Sequence, residues 1–196
     1  MLSIRRSITT WPPWMVVLFL TTIFDHALSV GFLTKNYIPL YSATDGMTIN
    51  IKNNWLVKSF SVDHDVEEVG FLVQNTTTTE VVCYITDTGF VRANPVGVTH
   101  LILECNFIND ILDANKEALG DRYLRIKQSH MSLARVLSFL GKMDKSKLQT
   151  IILVHLSDTN SDESRMVKEV ANLTGVLVYA AHNNDVISLG VNGLPF

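Results

Sequence analysis

Cysteine is scarce: Cys83 and Cys105 are the whole complement of a 196-residue chain. Both sit in apolar, strand-like runs and form no C-x-x-C pair. That excludes a cysteine-based metal or redox motif and reads as two buried, reduced thiols. An excess of positive charge is missing too. The net charge is −3, so nothing draws the chain as a whole to nucleic-acid phosphate, although a local basic patch would serve a nuclease. There is no internal repeat and no low-complexity linker at which to divide the chain. Between Arg6 and Asp25 there is no charged residue at all. That tract has the basic start and apolar middle of a signal peptide, but Pro12 and Pro13 interrupt it. Its apolar core is too short to span a bilayer, and no convincing small-x-small cleavage site follows. The expectation is an irregular or hydrophobic leader over residues 1–15, no stable membrane association and a cytoplasmic protein. A signal peptide or anchor over residues 1–24 is the alternative.

What is present suits one globular domain, taken as residues 16–196. The composition is 47% hydrophobic and 18% charged, and the length suffices for a core without covalent staples. Strands are expected at Val16–Ile23, Ile38–Tyr41, Trp55–Val62, Gly70–Val73, Val81–Ile85, His100–Glu104, Ile151–Val154 and Val176–Ala180. Ser42–Asn50 reads as turn-rich, and Gln74–Thr79 as the polar turn of a hairpin. Helices are expected at Ala27–Leu33, Phe107–Leu119 closed by Gly120, His130–Leu140 closed by Gly141, and Ser161–Leu173 opened by Asn160 or Ser161. Strands first, then strands alternating with helices, means α/β with a layered sheet.

The chemistry-bearing residues gather where apolar runs stop. Val81–Ile85 ends in Thr86-Asp87-Thr88-Gly89, a turn with a carboxylate in its middle. Val16–Ile23 runs into Phe24-Asp25-His26, and Ile151–Val154 into His155-Leu156-Ser157. The strand ends of one sheet edge lie close together, so these tips can converge on a single cleft. His26, His64, His130 and His155 all sit beside small or acidic residues. Imidazole and carboxylate together suit zinc, manganese or iron, and a hydrolytic site adds an open position for water. His100 and His182 read as structural.

Asp25-His26, His64-Asp65, Thr86-Asp87-Thr88-Gly89, Glu104-Cys105-Asn106, Ser129-His130-Met131-Ser132 and His155-Leu156-Ser157 occur in the order found in the metallo-β-lactamase superfamily. The chain resembles its YycJ/WalJ-like branch of exonucleases and phosphodiesterases over roughly residues 16–181. The resemblance implies an αββα sandwich with a metal cleft along the sheet edges. It implies His64 as a ligand of a first metal, Asp25, His26 and His155 as ligands of a second, and Asp87 as their bridge. It sets Glu104 and His130 beside the cleft, to orient a ligand and to contact or protonate a phosphate leaving oxygen. With Asp25 they form the implied catalytic set.

Two departures qualify the implication. The family's His-x-His-x-Asp-His signature stands here as Thr21-Thr22-Ile23-Phe24-Asp25-His26, so both leading histidines are absent; Phe107 replaces another. The strands that normally precede the signature have no counterpart in the first 20 residues, so part of the N-terminal sheet is expected to be lacking. An uncovered apolar edge would then favour a homodimer. The expected function is hydrolysis of phosphodiesters or nucleic acid with one divalent ion, zinc or manganese, at reduced activity. The alternative is a catalytically inactive binding protein on the same fold.

Overall fold

The computed structural model describes residues 45–51, 54–63 and 68–182, together with 185, 187 and 189. The expected leader, the two strands and the helix expected before residue 45, and the candidate residues Asp25, His26 and His64 lie outside them.

Seven strands form one sheet in sequence order: β1 (Thr48–Ile51), β2 (Trp55–Val62), β3 (Glu68–Asn75), β4 (Val81–Ile85), β5 (His100–Glu104), β6 (Thr150–Val154) and β7 (Leu177–Ala180). β1 to β4 pair antiparallel and β4 to β7 parallel. The change of direction at β4 follows from the connections. The Asn75 side chain folds the β3–β4 turn by accepting the amide hydrogens of Thr77 and Thr78, a short link that permits only antiparallel neighbours. Helices return the chain between the later strands: α1 (Asn109–Ala114), α2 (Lys116–Leu119), α3 (Arg122–Ser129) and α4 (Leu133–Lys142) before β6, and α5 (Glu163–Thr174) before β7.

β5 and β6 are buried along their whole length, as a strand covered on both faces must be. The period-2 alternation divides them cleanly. Cys83, Ile85, Leu101, Leu103, Ile151 and Leu153 meet Val136 and Leu140 of α4 and Met166 and Val170 of α5. On the other face Val57, Phe71, Val73, Val82, Tyr84, Ile102, Ile152 and Val154 form a second cluster with Trp55, Tyr179, Ile187 and Leu189. Among the described residues there is one mixed sheet with helices against one of its faces, in keeping with the expected α/β class. No helix among them is long and apolar enough to cross a membrane.

Several local expectations are corrected. β1 occupies part of the stretch read as turn-rich. The helix expected over Phe107–Leu119 breaks at Asn115, whose side-chain amide reaches away to Thr159 and Asn160 across the sheet edge. Gly141 lies inside α4 and does not close it. α4 starts at Leu133 because Ser132 caps it by accepting the Arg135 amide, which leaves His130 in extended backbone after α3. α5 is capped by Asp162, and Gly175 ends it in the left-handed conformation.

Candidate metal centre

The parallel strands β4, β5 and β6 are neighbours and point the same way, so their C-terminal tips meet at one edge, where open α/β sheets bind ligands. Those tips carry Asp87, Glu104 and His155. His130 joins them from the segment between α3 and α4, which a bridge between Phe107 and Ser132 lays alongside the exit of β5.

Glu104 is the centre of the arrangement. It is fully buried, and its Oε1 lies 2.7 Å from Nδ1 of His130 and 3.0 Å from Nδ1 of His155. Its Oε2 accepts the backbone N–H of Thr88 at 2.8 Å. Burial opposes the charge of this carboxyl, yet the two histidine contacts outweigh it and hold the group below the usual carboxylate range. The same contact raises the affinity of His155 for its proton against the pull of burial, with Asp87 adding to it. One buried carboxylate therefore sets the orientation of two imidazoles, as second partners of metal-binding histidines do.

Asp87 faces the pair. Its Oδ1 is 3.3 Å from Nδ1 of His155. Asp87, His130 and His155 each offer a donor atom within 4.8 Å of the others. The two rings stand edge to face, with centroids 5.0 Å apart. Two imidazoles and one carboxylate fit zinc or manganese, and three protein ligands leave room for water or substrate. Burial pushes the Cys83 and Cys105 thiols up, away from the thiolate a metal requires.

The backbone around these residues is held under constraint. Asp87 (φ 49°) and His155 (φ 60°) lie in the left-handed region, two of four such non-glycine residues among those described. Each such residue costs about 1–3 kcal/mol unless the surroundings fix it. The fixing contacts are visible. Thr88, itself fully buried, accepts the Asp63 amide through its hydroxyl, which also lies 2.9 Å from the Phe90 carbonyl. Gly89 has to be glycine, because a Cβ there would run into the carbonyl of Gln128 in α3. Asn106 donates from its side chain to the His155 carbonyl at 2.7 Å, while its backbone bonds Met131 and Ser157.

Of the residues expected at the site, Asp87, Glu104, His130 and His155 are brought together, and His130 stands within the metal-capable group itself. Glu104 has no exposed surface, which suits it to orienting rings and not to touching a substrate. Asp63 is described and pairs with Arg92 at 3.0 Å. Thr88, Asn106 and Arg135 shape the site without having been singled out for it. Thr88 and Asn106 at least lie within the recognised segments, whereas nothing in the sequence marks Arg135.

No protein-family model matches this sequence, and no curated protein matches it. Solved structures do match in fold. The metallo-β-lactamase-fold protein YhfI from Bacillus subtilis is similar at a TM-score of 0.55 and 16% identity, over 74% of this chain and 54% of its own. Zinc-bound PqqB from Methylobacterium extorquens gives 0.56 and 14%, over 83% and 62%. Human tRNase Z, short form, gives 0.50 and 17%, over 74% and 47%. This chain thus spans about half to three fifths of the length of these proteins. Its mixed α/β fold, with a seven-stranded mixed sheet, matches metallo-β-lactamase-fold structures over most of its length.

Proposed function

We propose that this protein is a metal-dependent hydrolase of phosphodiesters that uses one divalent ion, zinc or manganese. The observation that carries the reading is the buried Glu104 carboxylate holding His130 and His155 together beside Asp87. Burying a carboxylate is costly unless it is fully partnered, and here its partners are two groups able to bind metal. A bound divalent ion would supply Lewis acidity and a water acidic enough to lose its proton near neutral pH. Asp87 would offset the ion's charge, and Glu104 would keep both rings in one tautomer. Nδ1 of His130 is taken by Glu104, so its Nε2 is the atom it would offer the ion. Asp25, His26 and His64 belong to the proposal through the family resemblance alone, as further ligands. A zinc-bound relative and a tRNase among the fold relatives support a metal and a phosphodiester substrate. The exonuclease-like branch, a cytoplasmic setting and a homodimer complete the reading from sequence.

A non-catalytic binding protein is the second reading, favoured by Thr21 and Ile23 where the family has histidines. Metal content by plasma mass spectrometry, paired with turnover of bis(p-nitrophenyl) phosphate, separates the two. The hydrolase reading expects about one ion per chain, lost in Asp87→Ala, and ester cleavage that follows metal loading. Metal without cleavage would favour the binding protein, and no metal after reconstitution would refute both the ion and the reaction.

A further inference from the structure

Two loops must stay in register for the site to exist: the turn carrying Asp87 and the extended segment carrying His130. Two side chains join them: Glu104, through the Thr88 N–H and the His130 ring, and Arg135. Nη1 of Arg135, in the first turn of α4, lies 3.0 Å from the Gly89 carbonyl, 3.0 Å from the Lys127 carbonyl and 3.1 Å from the His130 carbonyl. These acceptors belong to the Asp87 turn, the last turn of α3 and the candidate ligand's own backbone. A guanidinium suits the task because it is always charged and its stem is long enough to reach the junction; with two hydrogens on Nη1, at least one is shared between carbonyls. Two of the carbonyls close the C-terminal end of α3, where partial negative charge collects.

We infer that Arg135 is a positioning residue that sets the separation of Asp87 and His130 and so controls metal affinity. The inference rests on the metal-binding reading of the site, and its mechanism is geometric. Without the guanidinium, three carbonyls lose their common donor, and the Asp87 turn keeps its bonds to Glu104 and Asp63 but loses its tie to the end of α3. The close seat of Gly89 against Gln128 and Arg135 shows how little slack the junction has. Lysine would keep the charge, but its ammonium ends one atom short of the place that Nη1 occupies and would not reach all three carbonyls together.

The full chain as wild type, Arg135→Ala, Arg135→Lys and the surface control Arg165→Ala would be compared in three measurements. These are zinc affinity by chelator competition, thermal stability of the metal-free protein, and the His130 ring-proton NMR shift without metal. The expected result is a loss of zinc affinity of about ten- to a hundredfold in Arg135→Ala. Arg135→Lys should lose several-fold at near wild-type stability, and Arg165→Ala should lose none. Dilute guanidinium ion should restore both affinity and the His130 shift to Arg135→Ala. Wild-type affinity in both Arg135 variants, or an unmoved His130 shift, would overturn the inference. If the wild type bound no zinc, the metal reading would fall, while a His130 shift restored by guanidinium would still establish the positioning role.

Discussion

Replacing Glu104 with glutamine removes one charge and changes almost no volume, so it tests the centre of the site without opening a cavity. The carboxylate takes part in three hydrogen bonds, to His130, His155 and Thr88. Each bond to a charged group is worth about 1.5–3 kcal/mol net when buried. His155 has 43% of its side chain exposed and His130 21%, so water competes for the histidine ends and the lower figure applies. Glutamine cannot satisfy all three partners while the histidines keep their protons on Nδ1. With its oxygen toward the histidines, its NH2 opposes the Thr88 N–H. With its NH2 toward the histidines, both Nδ1 atoms must accept, which moves their protons to Nε2. Loss of about one and a half such bonds is about 2–3 kcal/mol, read by urea unfolding of the metal-free protein. Zinc affinity should fall about ten- to a hundredfold with it, because the rings lose their tautomer and orientation. The pH dependence of the difference carries a further signature. Glu104, held below its ordinary range, stabilises the fold above about pH 4.3 and ceases to as the pH falls through its lower folded value. His155, held above its ordinary range, stabilises below about pH 6.5 and ceases to as the pH rises through its higher folded value. The stability gap between wild type and Glu104→Gln should therefore be widest between those two pH values and narrow on both sides. A variant equal to wild type in stability and zinc affinity, or a gap flat from pH 3 to 9, would refute the reasoning.

Other perturbations separate the supports of the site. Gly89→Ala drives a methyl group into the backbone of α3, and should cost about 1–3 kcal/mol in chemical denaturation as an overpacked site. Asn106→Ala removes the donor to the His155 carbonyl, with an expected loss of about 1 kcal/mol and a larger relative fall in zinc affinity than in stability. Leu153→Ala, in the fully buried layer beneath the helices, should cost about 2–5 kcal/mol in urea unfolding. Zinc affinity of the fraction still folded should stay near wild type, because its side chain points away from the tip.

Much of this was legible in the residues. Trp55–Val62 alternates apolar with polar residues, Val81–Ile85 is β-branched and aromatic, and Leu101–Leu103 is apolar, over the spans they occupy as strands; Gly175 closes a helix. Asp87, Glu104 and His155 stand out as polar groups at the ends of apolar runs. β1 was hidden because polar Thr48 and Asn50 alternate with its apolar residues beside a turn. α3 was hidden because its apolar stripe is little more than Tyr123 and Ile126. Arg135 could not be found because its partners are main-chain carbonyls, which have no letter in the sequence. That Glu104 serves two histidines depends on β5 lying between β4 and β6, a fact of strand order which composition does not encode.

The reversal of strand direction at β4 bears on when the site comes into being. The hairpins ahead of it close over short stretches of chain, which is fast. The parallel pairs behind it wait on helical crossovers, and Glu104 meets His155 across 51 residues. A chain emerging from a ribosome thus presents Glu104 before either of the two imidazoles it holds. Capture of an ion by Asp87, His130 and His155 together comes after β6 has docked. The metal would then act as a late lock on a finished sheet and not as a nucleus for it.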